Sequence, residues 1–176
     1  DVSQYKFIVF CHAFVMPISL WEQIKAKINP SATILWNYAP AMIGENGFSF
    51  ENQTAVTGFR TQECGERLLH EDQYKHIYWH GVHTCKQDYP LLEILPDENI
   101  EVLQKTSDGH IITARKQDGD LMQILTVDFA LRSKLIYEMI KLANVNMLAP
   151  VHVAVIADDK LIGFFPRFDS AFTFNF

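Results

Sequence analysis

The stretches Tyr5–Cys11 (Y-K-F-I-V-F-C) and Ala32–Tyr38 (A-T-I-L-W-N-Y) decide the fold of this chain. Each is an almost continuous apolar run, as is typical of strands that are covered on both faces of a sheet. Between them, apolar residues at helical spacing over 18–28 predict an amphipathic helix with Ser19 as its N-cap. A strand, a helix and a strand within about 35 residues have the size of a βαβ unit, so the two strands are predicted to be parallel.

Shorter elements follow. Ser49–Gly58 predicts a short helix with Gly58 at its C′ position, where a left-handed residue ends a helix. Further short strands are predicted over residues 60–64, 76–80, 91–95 and 100–105.

The last third of the chain has the pattern of two hairpins separated by a helix. The strands predicted over 111–115 and 121–127 flank Asp118-Gly119, and Asp-Gly between alternating runs indicates a hairpin turn. An amphipathic helix is predicted over 131–144, followed by a second hairpin-like pair over 152–157 and 160–165. The pattern predicts one three-layer α/β domain over residues 1–176, with a parallel sheet at its start and antiparallel hairpins toward the C-terminus.

Composition excludes several classes of protein. The chain has 176 residues, of which 48% are hydrophobic and 20% charged, so a globular core is expected rather than disorder. The net charge of −6 argues against a nucleic-acid partner. No apolar stretch approaches the roughly 20 residues of a membrane helix, so a soluble protein without a membrane partner is expected. Three cysteines are too few for a disulfide framework.

The order of these segments resembles a known family. The matching residues are Tyr5–Phe14, Ala32–Pro40, Phe50–Asn52, Val56–Gly58 and, farther on, Pro90–Leu92, Asp108-Gly109, Ile111–Val127 and Val151–Phe165. They are similar to the class I glutamine amidotransferase-like accessory domain of glycoside hydrolases, a relative of the β-galactosidase trimerisation domain. The resemblance implies a flavodoxin-like fold and a non-catalytic role beside a sugar-cleaving barrel. In that family a strand and a helix precede the segment like Tyr5–Phe14, so the resemblance also implies either a truncated copy of the domain or a part of a larger polypeptide.

The sequence departs from active amidotransferases. Those enzymes carry a nucleophilic cysteine on a glycine-flanked elbow between a strand and a helix. The loop 39–42 reads A-P-A-M without a nucleophile, and Cys64 has a glycine on one side only. The carboxylates show no spacing that pairs two of them as a glycosidase requires. No catalytic residue and no cofactor are therefore predicted.

A histidine-rich segment is the strongest metal-like motif. His80, His83 and Cys85 lie close together, with His76 upstream. A zinc site needs four converging ligands, and here one short segment supplies all of them without a second Cys/His pair at finger spacing. No metal site is predicted.

Three functions remain open. The first is an interaction domain that contacts a catalytic barrel or another subunit through Phe14, Trp36, Tyr38 and the Phe-rich C-terminal tail. The second is a carbohydrate-binding module, and the third is a residual amidotransferase-type thiol hydrolase. The location of the protein is left open, and a secreted parent glycosidase would make it periplasmic or extracellular. The candidate ligand or interface residues are His12, Phe14, Tyr38, Asn52 and Trp79.

Overall fold

The computed structural model describes residues 2–65, 90–129, 131, 133–147, 153–157 and 162–166. The chain divides into two compact units, residues 1–130 and residues 131–176. The expected single domain over residues 1–176 stays a prediction. None of the helices in the described part is long and apolar enough to cross a membrane.

The first unit contains nine strands and two helices among its described residues. The helices are α1 (Ile18–Lys25) and α2 (Phe50–Thr57). The strands are β1 (Phe7–Cys11), β2 (Thr33–Asn37), β3 (Ile43–Gly44), β4 (Gly47–Phe48), β5 (Thr61–Glu63), β6 (Leu92–Ile94), β7 (Glu101–Lys105), β8 (Ile111–Asp118) and β9 (Leu121–Thr126).

The main sheet has a parallel half and an antiparallel half. Its strand order is β1-β2-β9-β8-β6-β5, and β7 also pairs with β8. β1 and β2 are parallel, which confirms the prediction from the βαβ spacing. β9 returns to lie parallel to β2 on its other side, whereas β8, β6, β5 and β7 are joined by antiparallel pairing. The chain therefore has a mixed α/β fold whose sheet starts parallel.

The two strands that decide the fold differ in burial. All five residues of β2 are buried, as expected for a strand covered on both faces. β1 is only half-buried, because it stands at the end of the order among the described strands. The expectation of a fully covered strand at Tyr5–Cys11 is therefore wrong.

Local sequence signals explain where α1 begins and where α2 begins and ends. Pro17, rather than Ser19, is the N-cap of α1, because proline fixes φ and needs no backbone N–H there. The Ser19 hydroxyl instead donates to Glu45 Oε1 at 2.9 Å. α2 ends at Gly58 in the left-handed conformation, as predicted, and the Ser49 hydroxyl accepts the Asn52 N–H at its other end.

The hairpin predicted in the last third of the chain is confirmed, with its turn one residue later than expected. Asp118 and Leu121 pair with each other, so Gly119 and Asp120 form the two-residue turn. Gly119 has a φ of 61°, which glycine adopts without steric cost.

The core of this unit contains a stack of aromatic rings. The rings of Phe10 and Trp36 lie 4.4 Å apart, and Trp21 meets Trp36 edge-on at 5.1 Å. The Trp36 indole N–H donates to Gln123 Oε1 at 3.0 Å. Because Trp36 is 0% exposed, its predicted place on a docking surface is wrong.

The second unit contains α3 (Ser133–Leu142) and the strands β10 (Val153–Ala157) and β11 (Ile162–Pro166). The two strands form an antiparallel hairpin, as predicted. The strand predicted over 76–80 and the Phe-rich tail after Pro166 lie outside the described residues.

Candidate functional site

The most distinctive part of the first unit is the edge where its three parallel strands end. Cys11, Asn37 and Thr126 are the last residues of β1, β2 and β9, and they pair in one register across the sheet. The loops that follow these strands therefore emerge side by side. This carboxyl edge is where open α/β sheets bind ligands.

The backbone at this edge has an unusual conformation. His12, Tyr38 and Ala41 have φ values of 50°, 65° and 55°, in the left-handed region that residues with a side chain rarely adopt. The surrounding structure holds two of them, because Tyr38 N–H donates to Thr126 O at 2.7 Å and Ala41 N–H donates to Ala13 O at 2.8 Å. Strained backbone of this kind is concentrated at functional sites.

Aromatic rings from all three loops meet at this edge. The His12 ring stacks against Phe14, at 5.7 Å, and against Phe129, at 4.7 Å. Tyr38 meets both phenylalanines edge-on, at 6.0 Å and 5.3 Å. The structure thus brings together three of the five predicted site residues, namely His12, Phe14 and Tyr38.

Phe129 belongs to this cluster but is absent from the predicted set. It follows the end of β9 by three residues, and its backbone oxygen lies 3.3 Å from His12 Nε2. The pairing of β9 with β2 is the signal that would have identified it, and the local sequence does not encode this pairing.

An apolar cavity of about 190 Å³ lies beside the aromatic cluster. Tyr38 forms one wall; it is 5% exposed, and its hydroxyl donates to Pro90 O at 2.8 Å. Most of the lining side chains are aromatic or aliphatic, and one is a carboxylate. The lining residues are Phe14, Tyr38, Ala39, Met42, Ile43, Phe48, Phe50, Glu63, Pro90 and Leu92.

Asn52, the fourth predicted site residue, supports the loop behind the cavity. Its amide nitrogen donates to Ala41 O at 2.6 Å and to Met16 O at 3.0 Å. A Cβ atom on Gly44 would lie 2.6 Å from Asn52 Oδ1, so a larger residue at this position would force the Asn52 side chain to shift. The fifth predicted residue, Trp79, lies outside the described residues.

A buried amide at the carboxyl edge is only half satisfied. Asn37 is 1% exposed, and its Nδ2 donates to Asp128 O at 2.9 Å, which fixes the orientation of the amide. Its Oδ1 has no hydrogen-bond donor among the described residues. A buried acceptor without a donor costs about 1–3 kcal/mol. The Asn37 amide oxygen is therefore a second unfavourable feature at this edge, beside the left-handed backbone.

The two cysteines in the described part differ in exposure. Cys11 is exposed at the end of β1, whereas Cys64 is buried and its thiol donates to Leu91 O at 3.4 Å. Within the described ranges there is no group of three or more His, Cys, Asp or Glu residues that could hold a metal ion. The segment with His76, His80, His83 and Cys85 lies outside those ranges, so the expectation that it binds no metal stays a prediction.

The carboxylates considered from the sequence lie in different surroundings. Glu51 is in the first turn of α2, where a hydrogen bond from the Ser49 hydroxyl lowers the pKa of its carboxyl group. Glu63 lines the apolar cavity. Glu93 accepts hydrogen bonds from Gln62 Nε2 at 2.6 Å and lies 2.5 Å from His110 Nδ1.

Comparison with known proteins shows similarity in structure only. No protein family and no curated protein matches the chain. The structure of Gan42B, a GH42 β-galactosidase, matches with a TM-score of 0.53 at 10% identity over 88% of this chain and 24% of that chain. A catalytic mutant of Gan42B from G. stearothermophilus matches with a TM-score of 0.52 at 10% identity, over 87% and 24%. The chain therefore shares its α/β fold with a portion of these proteins and spans about a quarter of their length.

Proposed function

We propose that this chain is a non-catalytic accessory domain of a carbohydrate-active protein, in which it mediates oligomerisation or packs against a catalytic barrel. The observation that carries the proposal is the fold similarity, which covers 88% of this chain but only 24% of a GH42 β-galactosidase chain. A fold that corresponds to a minor part of such an enzyme fits an accessory role, with the catalytic part elsewhere in the polypeptide.

The proposal includes a finer description of the fold. The three parallel strands β1, β2 and β9 with α1 between the first two support a three-layer flavodoxin-like arrangement of amidotransferase-like descent. The half-buried edge at β1 is the place where the strand and helix that precede this segment in the family would pack.

The described residues offer a contact surface different from the expected one. Val15 bridges to Ile43, and Ile43 pairs with Phe48, so these three residues form a continuous apolar strip beside the cavity. Val15 is 62% exposed and Phe48 66% exposed. A contiguous exposed apolar strip is typical of a protein–protein contact site. We assign the interface to this strip rather than to Trp36 and Tyr38.

The non-catalytic part of the proposal draws on the loops around the cavity. The loop at 39–42, after β2, provides no nucleophile at the carboxyl edge. Cys64 is buried, whereas an activated thiolate needs a partly exposed and electropositive environment.

A sugar-binding role has weaker support. Pyranose rings stack on exposed aromatic faces, but the His12 ring is already stacked against Phe14 and Phe129. Tyr38 is buried and its hydroxyl is already hydrogen-bonded to Pro90 O.

Light scattering on the 176-residue chain tests the interface. We expect a concentration-dependent dimer or larger assembly, and Val15→Asp should weaken it by at least about tenfold, because a buried Val contributes about 1.5 kcal/mol. Val2→Asp, at an exposed valine outside the strip, is the matched control and should leave the assembly unchanged.

Two results would count against the proposal. A monomer at every concentration would exclude oligomerisation by this chain. Hydrolysis of an aryl β-galactoside by the purified chain, above the rate in buffer, would exclude a non-catalytic domain.

A further inference from the structure

The apolar cavity beside the carboxyl edge is walled by aromatic rings in two perpendicular pairs. Phe14 and Tyr38 meet at 89°, and Phe48 and Phe50 meet at 85° with their ring centres 5.4 Å apart. Ring faces carry the negative part of the aromatic quadrupole, and several rings around one space attract a cation.

One lining side chain carries a charge that the described residues leave uncompensated. Glu63, an exposed residue at the end of β5, lines the cavity and makes no hydrogen bond or ion pair with any other described residue. The nearby Glu93, which pairs with Gln62 in the next strand, is different, since its carboxylate contacts both His110 and Gln62. Glu63 thus supplies the negative charge that a bound cation would neutralise.

The lining disfavours two other classes of ligand. A sugar would bring several hydroxyl groups into a cavity whose lining offers them the Glu63 carboxylate but is otherwise apolar or, at the Tyr38 hydroxyl, already bonded to Pro90 O, so most of these hydroxyls would lose water without gaining partners. A neutral hydrocarbon would fill the space but would gain no attraction from the Glu63 carboxylate at the cavity.

We propose that this cavity binds an organic cation, specifically an alkylated ammonium group such as the trimethylammonium head of choline. The rings of Phe14, Tyr38, Phe48 and Phe50 surround the methyl groups, and the Glu63 carboxylate balances the charge. The cavity shares Ile43 and Phe48 with the strip assigned to the interface, whereas Glu63 and Tyr38 lie outside that strip.

Calorimetric titration of the 176-residue chain with choline tests the site. Its neutral carbon isostere, 3,3-dimethyl-1-butanol, has nearly the same shape and lacks only the charge. We expect choline to bind at least about tenfold more tightly than the isostere, in line with cation–π attraction in a partly desolvated site. Equal binding of the two, or no heat with choline, would overturn the proposal.

Two variants separate charge from shape. Glu63→Gln should weaken choline binding about fivefold or more and leave binding of the isostere unchanged. Glu22→Gln removes the same charge from an exposed position on α1 and should change neither affinity. An equal effect of the two substitutions would overturn the assignment of Glu63.

A third variant tests the rings. Phe48→Leu keeps an apolar side chain at a position that is 66% exposed, so it should fold normally. It should weaken choline binding with little change for the isostere. If choline binds this variant as tightly as the original chain, the aromatic assignment is wrong. Because Phe48 also belongs to the interface strip, the oligomer mass of this variant is measured beside its affinity, and Glu63→Gln, outside the strip, keeps failure of this site distinguishable from failure of the accessory role.

Discussion

The two ends of the parallel strands are built in different ways. At the amino end, the chain turns through Gly119, whose left-handed backbone has open space around it, and the surface pair Lys25–Asp118 closes the end of the hairpin at 2.7 Å. At the carboxyl end, His12 and Tyr38 adopt left-handed conformations although both carry large side chains.

The difference shows where the protein tolerates strain. A left-handed residue with a Cβ costs roughly 1–2 kcal/mol, which glycine avoids at the amino end. At the carboxyl end, the aromatic packing of His12 and Tyr38 offsets the cost of their left-handed conformation. The apolar cavity and the half-satisfied Asn37 amide lie at or beside the same edge. The strained edge is thus the one that carries the candidate site.

The largest expected effect is at Tyr38. Tyr38→Ala should lower the free energy of unfolding by about 3–5 kcal/mol, because it removes a buried ring that packs against Phe14 and Phe129. Urea denaturation measures this difference.

Tyr38→Phe is the control for the hydroxyl group. It keeps the ring and loses only the hydrogen bond to Pro90 O, so its cost should be about 1 kcal/mol. If Tyr38→Ala costs no more than Tyr38→Phe, the ring does not stabilise the carboxyl edge as the packing indicates.

A smaller change in the free energy of unfolding is expected at His12, where two substitutions separate the cost of the left-handed backbone from the loss of the ring. His12→Ala and His12→Gly both remove the stacked ring, but only alanine keeps a Cβ at a φ of 50°. We expect the glycine variant to be more stable than the alanine variant by about 1 kcal/mol in urea denaturation.

The next residue, Ala13, provides a control at which glycine should lower the stability instead of raising it. Ala13 is not among the residues with positive φ, so Ala13→Gly should lower the stability by about 0.5–1 kcal/mol. If glycine lowers stability at both positions, the left-handed conformation of His12 stores no strain.

Local patterns were sufficient to predict the β1–α1–β2 unit and the β8–β9 hairpin. Each is determined by contacts within about 35 residues, where periodicity and turn residues act directly. The parallel pairing of β9 with β2 joins residues almost 90 positions apart, as in Trp36↔Leu125, and no local pattern encodes it. Phe129 was missed in the candidate site for the same reason.

Exposure was harder to predict than secondary structure. In a strand buried on both faces, every residue is apolar, so the pattern of Ala32–Tyr38 does not tell which side chains remain accessible. Trp36 was therefore assigned to a surface although it lies in the core. Phe48 was overlooked because the β3–β4 hairpin that exposes it is only two residues long on each side.

The smallest expected effect belongs to the amino end and depends on pH. The hydrogen bond from the Lys25 ammonium group lowers the pKa of the Asp118 carboxyl below its ordinary value. Because the pKa is lower in the folded than in the unfolded chain, this stabilisation is present above the unfolded pKa of about 4 and is lost as the pH falls through the folded value.

Lys25→Met should therefore reduce stability near neutral pH by only about 0.5 kcal/mol, since both side chains are about 40% exposed and solvent screens the pair. Below the folded pKa of Asp118, the variant and the original chain should differ less, because the carboxyl is then neutral in both. Lys27→Met, at an exposed lysine near the end of α1, is the matched control and should show no such pH dependence. Urea denaturation at neutral and acidic pH measures both variants. A loss in Lys25→Met that persists unchanged in acid would show that the Lys25 ammonium group stabilises the chain without the Asp118 charge, and the contrast between the two ends would then not rest on this ion pair.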